Sequence, residues 1–263
     1  MLLTIDVGNS HTVLGLFDGT ELLGHWRVAT DTRRTSDEWS VLLDGLVSGG
    51  GHAPVTGLAL CCTVPPVQHA MREMVRQHYT KADVVIVEPG VRTGVPIRMD
   101  NPKEVGSDRI VNALAAARRY GGPCVVVDFG TATTFDAVST TGAYLGGAIA
   151  PGIDISVEAL SQRGAQLHMV ELVRPRHAIA KSTSEALRSG IVYGFAGQVD
   201  GIVDRMAQEL AEEGGTTPEA VTVIATGGLA ETVIDECESV DVHEPLLTLH
   251  GLRLLYERNA GSA

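Results

Sequence analysis

The sequence predicts an α/β protein of two related lobes, each a mixed β-sheet flanked by helices, with a cleft between the lobes. First, short β-rich runs recur between longer helical patterns along the 263 residues. Second, the strand-turn-strand segment Asp6-Val7-Gly8 is matched by Asp128-Phe129-Gly130, at an offset of 122 residues (128 − 6). Third, Gly121, Gly122 and Pro123 end a helical pattern just before a new strand. We therefore expect an N-terminal lobe at 1–121 and a C-terminal lobe at 122–263.

Apolar and β-branched runs predict the strands, which are 2–5, 12–17, 22–28, 58–62, 84–87, 125–128, 133–138, 144–149 and 221–225. Apolar residues at helical spacing predict the helices, which are 36–47, 66–78, 108–120, 153–162, 184–213, 229–236 and 246–258. The mixed-sign run from Thr30 to Glu38 is predicted to be a solvated loop that leads into a capped helix, rather than an anion site.

Composition excludes several classes of function. The formal net charge is −12 and the pI is about 5.1, which argues against nucleic acid or an anionic membrane as a partner. No stretch approaches the roughly 20 apolar residues of a membrane helix. The four cysteines match neither a disulfide framework nor paired metal-ligand spacing. With a start that lacks a basic leader, this predicts a cytoplasmic protein. The chain contains neither a P-loop nor a Gly-x-Gly-x-x-Gly dinucleotide motif.

The two Asp-x-Gly segments have the chemistry of phosphate sites. Glycine lets the backbone turn close to a ligand, and successive amides after it can point at phosphate oxygens. In the first segment, the side chains of Asn9, Ser10 and Thr12 add donors; at the constant offset, Thr12 falls on Thr134. Asp6 and Asp128 would face a divalent ion that offsets the charge of a nucleotide triphosphate. The alternative is that each segment is only a hairpin turn. The turn Thr226-Gly227-Gly228 is a third, weaker nucleotide candidate.

A second candidate site precedes the helix that contains Asn112. Ser107 and Asp108 stand where caps and first-turn acids stabilise a helix, which is one interpretation. The other is functional: Asp108 accepts the proton of a substrate hydroxyl as that hydroxyl attacks the γ-phosphoryl group, and Arg109 binds a substrate carboxylate bidentately.

Glycines at 190, 194, 197 and 201 lie on one face of the predicted helix 184–213. Each costs about 1 kcal/mol relative to alanine in a helix interior, so close helix contact should offset the loss. That contact is either with the lobe's own sheet or with a second copy of the chain.

Several segments together resemble the type III pantothenate kinases, which belong to the superfamily of acetate kinases, sugar kinases, actin and heat-shock chaperone ATPases. The matching segments cover nearly the whole chain in order and are 6–13, 101–102, 106–109, 127–134, 146–152, 226–228 and 247–252. The resemblance implies two ribonuclease-H-like lobes with a nucleotide cleft between them. It also implies transfer of the γ-phosphoryl group of ATP to pantothenate, the first step of coenzyme A synthesis.

The resemblance implies site residues as well. The nucleotide phosphates would be bound by Thr131 together with Asp6, Val7, Gly8, Asn9, Ser10, His11, Thr12 and Val13. Asp108 would be the general base, and pantothenate would contact Gly106, Ser107, Asp108, Arg109 and Thr183. Asp128 would bind a monovalent cation, potassium or ammonium, while Mg²⁺ arrives with ATP. Members of the family are homodimers whose partner subunit completes the pantothenate pocket.

Three positions depart from the family pattern. Ala180 stands where glycine is usual, Ser182 where asparagine is usual, and Met99 where many members have tyrosine. These departures bear on pantothenate affinity more than on the type of reaction. The alternatives are another small-molecule kinase of the superfamily and a nucleotide-gated interaction ATPase, against which Asp108 and Arg109 argue.

Overall fold

The computed structural model of the chain describes residues 1–49, 51, 53–163 and 171–260. Its strands, in chain order, are β1 Leu2–Val7, β2 His11–Asp18, β3 Glu21–Ala29, β4 Gly57–Cys62, β5 Asp83–Ile86, β6 Cys124–Phe129, β7 Ala132–Val138, β8 Tyr144–Pro151, β9 Thr222–Thr226 and β10 Val242–His243. Its α-helices are α1 Ser36–Ser48, α2 Pro65–His78, α3 Ser107–Arg119, α4 Ile153–Arg163, α5 Thr183–Gly214 and α6 Leu247–Asn259.

The strands form two mixed sheets with the same topology. The first has the order β3-β2-β1-β4-β5 and the second β8-β7-β6-β9-β10. In each sheet the central strand, β1 or β6, pairs antiparallel with the strand that follows it and parallel with β4 or β9. The predicted α/β class with two related mixed sheets is confirmed, and the internal repeat extends from the two Asp-x-Gly segments to whole sheets.

The chain forms two compact units that are not consecutive halves. The first comprises Met1–Val95, Asn101–Ala115 and the segment from Leu247 onward, and the second comprises Pro96–Asp100 and Ala116–Leu246. The prediction divided the chain once, at 121/122. In the structure α3 spans Ala115 and Ala116, and α6 packs on β1 and β4 of the first sheet. Only packing could reveal that the last helix belongs with the first strands.

Each unit has its own apolar core. In the first, strand residues such as Leu3 and Ile5 pack with the fully buried Trp39 of α1 and Met71 of α2. In the second, β6 and β7 pack against buried residues of α5. Burying one large apolar side chain stabilises the fold by about 1.5–3 kcal/mol, so these cores fix both sheets.

The helix starts follow from local sequence. Thr35 caps α1, with its hydroxyl accepting from the Glu38 amide and the Glu38 carboxylate accepting from the Thr35 amide. The predicted capped helix after the 30–38 loop is therefore confirmed.

The predicted helix at 229–236 is wrong, because this segment forms two short 3₁₀ turns, Ala230–Thr232 and Ile234–Glu236. The two-residue strand β10 was not predicted.

The constant offset misaligned one pair of threonines. Val7 pairs with Thr12 in the first hairpin, whereas Phe129 pairs with Thr133 in the second. The second hairpin is thus one residue shorter, and Thr133, not Thr134, is the structural equivalent of Thr12. A shortened turn cannot be seen when two segments are compared without a gap.

The glycine stripe of α5 does not pack on the lobe's own sheet. A Cβ added at Gly190, Gly194 or Gly197 would meet no atom of the described residues within 4 Å. All three glycines are exposed. Packing within the lobe, one of the two interpretations of the stripe, is therefore wrong for these three positions.

None of the described helices combines the length and apolar character that crossing a membrane requires.

Candidate active site

The first Asp-x-Gly segment is the tip of the β1–β2 hairpin. Asp6 lies near the end of β1, half-buried, and Asn9, Ser10 and His11 are exposed at the tip. The Gly8 amide donates to the His11 carbonyl at 3.0 Å and closes the turn. The Gly8 amide is used inside the turn, so the residues of the hairpin that are accessible to a ligand are Asn9, Ser10 and His11.

The Thr12 hydroxyl does not add a phosphate donor. Thr12 is fully buried, and its Oγ1 lies 2.9 Å from Oγ1 of Thr30, a residue just beyond β3. The Thr30 hydroxyl in turn donates to the Gly8 carbonyl at 2.8 Å. The expectation that the Thr12 side chain contacts phosphate is wrong, because its hydroxyl is buried and hydrogen-bonded to Thr30. Sequence reasoning also missed Thr30, which it placed in a solvated loop.

The predicted base lies in the first turn of α3. Asp108 is half-buried, and its Oδ1 accepts the Arg109 amide at 2.9 Å. Burial raises the pKa of Asp108, and the Arg109 amide and guanidinium only partly oppose this effect. A carboxylate with a raised pKa is a stronger proton acceptor, which is the property that a general base needs.

Gly106 leaves room for the Asp108 carboxylate. A Cβ at Gly106 would lie 2.5 Å from Asp108 Oδ1, far closer than van der Waals contact permits. A side chain at this position would therefore displace the carboxylate. The absence of a side chain at Gly106 therefore allows the Asp108 carboxylate to keep its position.

The structure brings Asp6 and Asp108 to one neighbourhood of the first unit. Cys61 pairs with Asp6 across β1 and β4, and its thiol donates to Ser107 Oγ at 3.2 Å. Burial raises the pKa of Cys61, and the negative charges of Asp6 and Asp108 add to that effect. Asp6 of the β1–β2 hairpin and the candidate base Asp108 are therefore both close enough to influence the same buried thiol. No sequence motif pointed to Cys61.

The second Asp-x-Gly segment has the same geometry with a tighter turn. The Gly130 amide donates to the Ala132 carbonyl at 3.1 Å, which leaves only the exposed Thr131 at the tip. Gly227, with φ of +93°, approaches Asp128 so closely that a Cβ there would lie 2.5 Å from Asp128 Oδ1. The glycine of the turn Thr226-Gly227-Gly228 therefore keeps the space beside a carboxylate clear.

Among the described residues, no group of three or more His, Cys, Asp or Glu side chains is arranged to hold a metal ion. A cation site at Asp128 would therefore have to use other oxygen donors besides this one carboxylate.

One of the three departures from the family pattern, Ser182, has a local explanation. Ser182 is the N-cap of α5 and accepts the Glu185 amide at 3.3 Å, so serine supplies the cap that asparagine would. Thr183 follows as the first residue of α5 and is exposed. Met99 packs over Gly146, where a Cβ would lie 3.1 Å from the Met99 sulfur. Nothing in the structure explains Ala180.

Comparisons with known proteins show which family the sequence matches. Residues 2–205 match the family model of type III pantothenate kinase. The type III pantothenate kinase of Thermobifida fusca is 71% identical over 261 residues, which cover 98% of this chain and all of that protein. The Streptomyces griseus type III pantothenate kinase is 62% identical, with full coverage of both chains.

Solved structures of lower identity share the fold. A putative Baf family transcriptional activator from Campylobacter jejuni superposes with a TM-score of 0.59 at 18% identity and 98% coverage of both chains. A putative 2-dehydro-3-deoxygalactonokinase from Sinorhizobium meliloti superposes with a TM-score of 0.58 at 13% identity, covering 100% of this chain and 98% of that one. At these identities the likeness concerns the fold alone.

Proposed function

The chain belongs to the type III pantothenate kinase family, and we propose on that premise that Asp108 is the general base of its reaction. The enzyme transfers the γ-phosphoryl group of ATP to pantothenate, yielding 4'-phosphopantothenate for coenzyme A biosynthesis. The observation that carries the role of Asp108 is its environment. Its carboxylate is half-buried at the start of α3, has a raised pKa, and occupies space that Gly106 leaves clear.

The proposed chemistry is a direct in-line transfer. The primary hydroxyl of pantothenate attacks the γ-phosphorus, the bond from that phosphorus to the β,γ-bridging oxygen breaks, and ADP leaves. Asp108 takes the hydroxyl proton. Most of the rate enhancement comes from positioning and charge neutralisation, because phosphoryl transfer requires little covalent work from the protein.

The substrate contacts are part of the proposal. Pantothenate is bound by Gly106, Ser107, Arg109 and Thr183, with the Arg109 guanidinium on its carboxylate. The triphosphate is bound by the hairpin segment 6–13, chiefly through its exposed tip, and by Thr131. The exposure of Asn9 to His11 and of Thr131 supports this, because ligand donors must be accessible.

Two cations complete the proposed site. Mg²⁺ enters with ATP, since it binds mainly through substrate phosphates, water and one or two carboxylates, here Asp6. A monovalent cation, K⁺ or NH₄⁺, is held at Asp128. The close approach of Gly227 supports that position, because a Cβ there would fill the space beside the carboxylate. Positive charge at this place would offset the negative charge of the nucleotide.

A homodimer is also proposed, with α5 at the interface. The exposed glycines at 190, 194 and 197 would let a second backbone approach closely. Gly190 and Gly194 border a largely apolar groove between α4 and α5, which Leu160 and Phe195 also line. In light scattering coupled to size exclusion, Gly194→Arg should run as a folded monomer, while Gly45→Arg, at an exposed glycine of α1, should remain dimeric. A dimeric Gly194→Arg variant would place the interface elsewhere.

A cytoplasmic location is proposed as well. All four cysteines are free in the structure, as expected in a reducing compartment. Fractionation of the native host would test it; recovery of the enzyme outside the cytoplasmic fraction would refute it.

A coupled ADP assay tests the reaction. ADP should form only when pantothenate is added, and sugars or short hydroxy acids should not replace it. Exchanging K⁺ for Na⁺ should lower the rate, and Asp108→Asn should abolish it while the variant stays folded. Rapid ADP formation without pantothenate would instead indicate a nucleotide-gated ATPase. A better substrate in the panel would indicate another small-molecule kinase.

A further inference from the structure

Thr30 contacts the β1–β2 hairpin through both its backbone and its side chain. It follows the last residue of β3, and its amide donates to the Ser10 carbonyl at 3.0 Å. This bond extends the β2–β3 ladder by one step beyond the pair His11 and Ala29. The backbone of Thr30 is therefore fixed beside the hairpin tip.

The side chain of Thr30 connects the two limbs of the hairpin. Its hydroxyl has one proton, which it donates to the Gly8 carbonyl at 2.8 Å. In the 2.9 Å contact with Thr12, therefore, the Thr12 hydroxyl is the donor and Thr30 the acceptor. The result is a chain of hydrogen bonds from Thr12 on β2, through Thr30, to Gly8, the residue that follows β1. Bonds in such a chain strengthen one another.

The second unit shows that this hairpin topology forms without the threonine. By strand register Thr133 corresponds to Thr12, and the residue that corresponds to Thr30 is Gly152. A Cβ at Gly152 would lie 2.2 Å from the Thr131 carbonyl oxygen, so no side chain fits there. The buried Thr133 hydroxyl has no hydrogen-bond partner among the described residues. The hydroxyl of Thr30 is therefore dispensable for forming such a sheet and specific to the first hairpin.

We propose that Thr30 is a positioning residue that holds the tip of the β1–β2 hairpin in the geometry that binds the phosphates of ATP. The inference rests on the proposed role of segment 6–13. Thr30 itself does not touch the nucleotide. It restrains Gly8, Ser10 and Thr12, so that the donors of the tip are already arranged before ATP binds, and the cost of ordering them is not subtracted from affinity.

The test compares three variants. Thr30→Val keeps the shape and the backbone bond but removes both hydroxyl contacts, whereas Thr30→Ser keeps the hydroxyl. Thr32→Val removes an exposed hydroxyl from the same loop and serves as the matched control. Calorimetric titration with a non-hydrolysable ATP analogue gives nucleotide affinity without turnover. Steady-state kinetics give KM for ATP and for pantothenate separately.

Thr30→Val should weaken analogue binding and raise KM for ATP by about tenfold, equivalent to about 1.4 kcal/mol, because two hydrogen bonds are lost. KM for pantothenate should change by less than about twofold. Thr30→Ser should restore most of the affinity, and Thr32→Val should match the wild type. If Thr30→Val does not fold, Thr12→Val removes only the outer bond and should weaken analogue binding about threefold.

Three results would each overturn the inference. The first is that Thr30→Val binds the analogue as tightly as the wild type, and the second is that Thr30→Ser does not restore the affinity. The third is that KM for ATP and KM for pantothenate change equally. In the fallback arm, unchanged affinity in Thr12→Val would do the same. The proposed function can fail separately. A wild-type protein that binds the analogue but forms no pantothenate-dependent ADP refutes the proposed reaction. In that case the role of Thr30 is still tested by comparing the analogue affinities of the variants. A wild-type protein that binds no nucleotide refutes both.

Discussion

The Thr248 hydroxyl of α6 donates to the side-chain amide oxygen of Asn112 in α3 at 2.8 Å. Asn112 is only 1% exposed and lies one helical turn after Asp108. The two helices meet closely there, because a Cβ at Gly251 would lie 2.4 Å from the Val111 carbonyl oxygen. The C-terminal segment 247–252, which the family resemblance includes, therefore fixes the helix that carries the candidate base.

Replacing Thr248 with valine should destabilise the protein and slow turnover. The change leaves the buried Asn112 oxygen without this donor, at a cost of about 1–3 kcal/mol in the free energy of unfolding. A looser α3 should lower kcat several-fold. Urea unfolding and steady-state kinetics measure the two effects, and Thr248→Ser, which keeps the hydroxyl, should behave nearly as the wild type. Unchanged unfolding of Thr248→Val would contradict the assigned hydrogen bond.

Replacing Gly106 with alanine should affect catalysis more than stability. The new Cβ would overlap Asp108 Oδ1, and the short carboxylate can rotate away at little cost to folding. Its displacement should lower kcat at least about tenfold, because catalytic groups tolerate little misplacement. Gly45→Ala, at an exposed site inside α1, is the control and should stabilise the fold by about 0.5–1 kcal/mol. Wild-type kcat in Gly106→Ala would show that the carboxylate position is not critical.

Replacing Asp108 with asparagine should stabilise the protein at neutral pH while abolishing activity. The folded pKa of Asp108 is raised by burial, so its ionised form costs stability above that pKa. The contribution of Asp108 to the free energy of unfolding is therefore fully present only below the pKa of an unfolded aspartate, about 3.9. It is lost as the pH rises through the pKa of Asp108 in the folded protein. Asparagine does not titrate.

Urea unfolding at about pH 7.5 should therefore show Asp108→Asn to be the more stable protein, with the difference vanishing near pH 4. Asp18→Asn, at the exposed end of β2, controls for simple loss of a negative charge. A wild type that is more stable than Asp108→Asn at about pH 7.5 would mean that burial does not dominate at Asp108.

Replacing Gly227 with alanine should destabilise the second unit by about 1–3 kcal/mol or more. Its φ of +93° disfavours any L side chain, and a Cβ would lie 2.6 Å from the Phe129 backbone nitrogen, which cannot rotate away. Gly130→Ala is the matched control beside Asp128, because its Cβ would come no closer than 3.5 Å to any neighbour. Equal unfolding midpoints for the two variants would disprove the strain at Gly227.

Several features were predictable because they are local. Hydrophobic periodicity located most strands and helices, and the Asp-x-Gly hairpins indicated two related sheets. The position of Asp108 in the first turn of α3 also follows from nearby residues. The segment 229–236 was misassigned because its pattern alone cannot separate an α-helix from two 3₁₀ turns.

By itself, then, the sequence determined the α/β class, the repeated hairpins and the residues that resemble a pantothenate kinase site. Only the tertiary structure decided which hydroxyls form hydrogen bonds inside the protein, as that of Thr12 does. Tertiary structure also placed Thr30 against Gly8, Cys61 beside Ser107, and α6 on the first sheet. The reason is physical: periodicity and turn chemistry act over a few neighbouring residues, whereas these contacts join positions 22, 46 and more than 100 residues apart. Such contacts exist only after the cores have packed and set the strand registers.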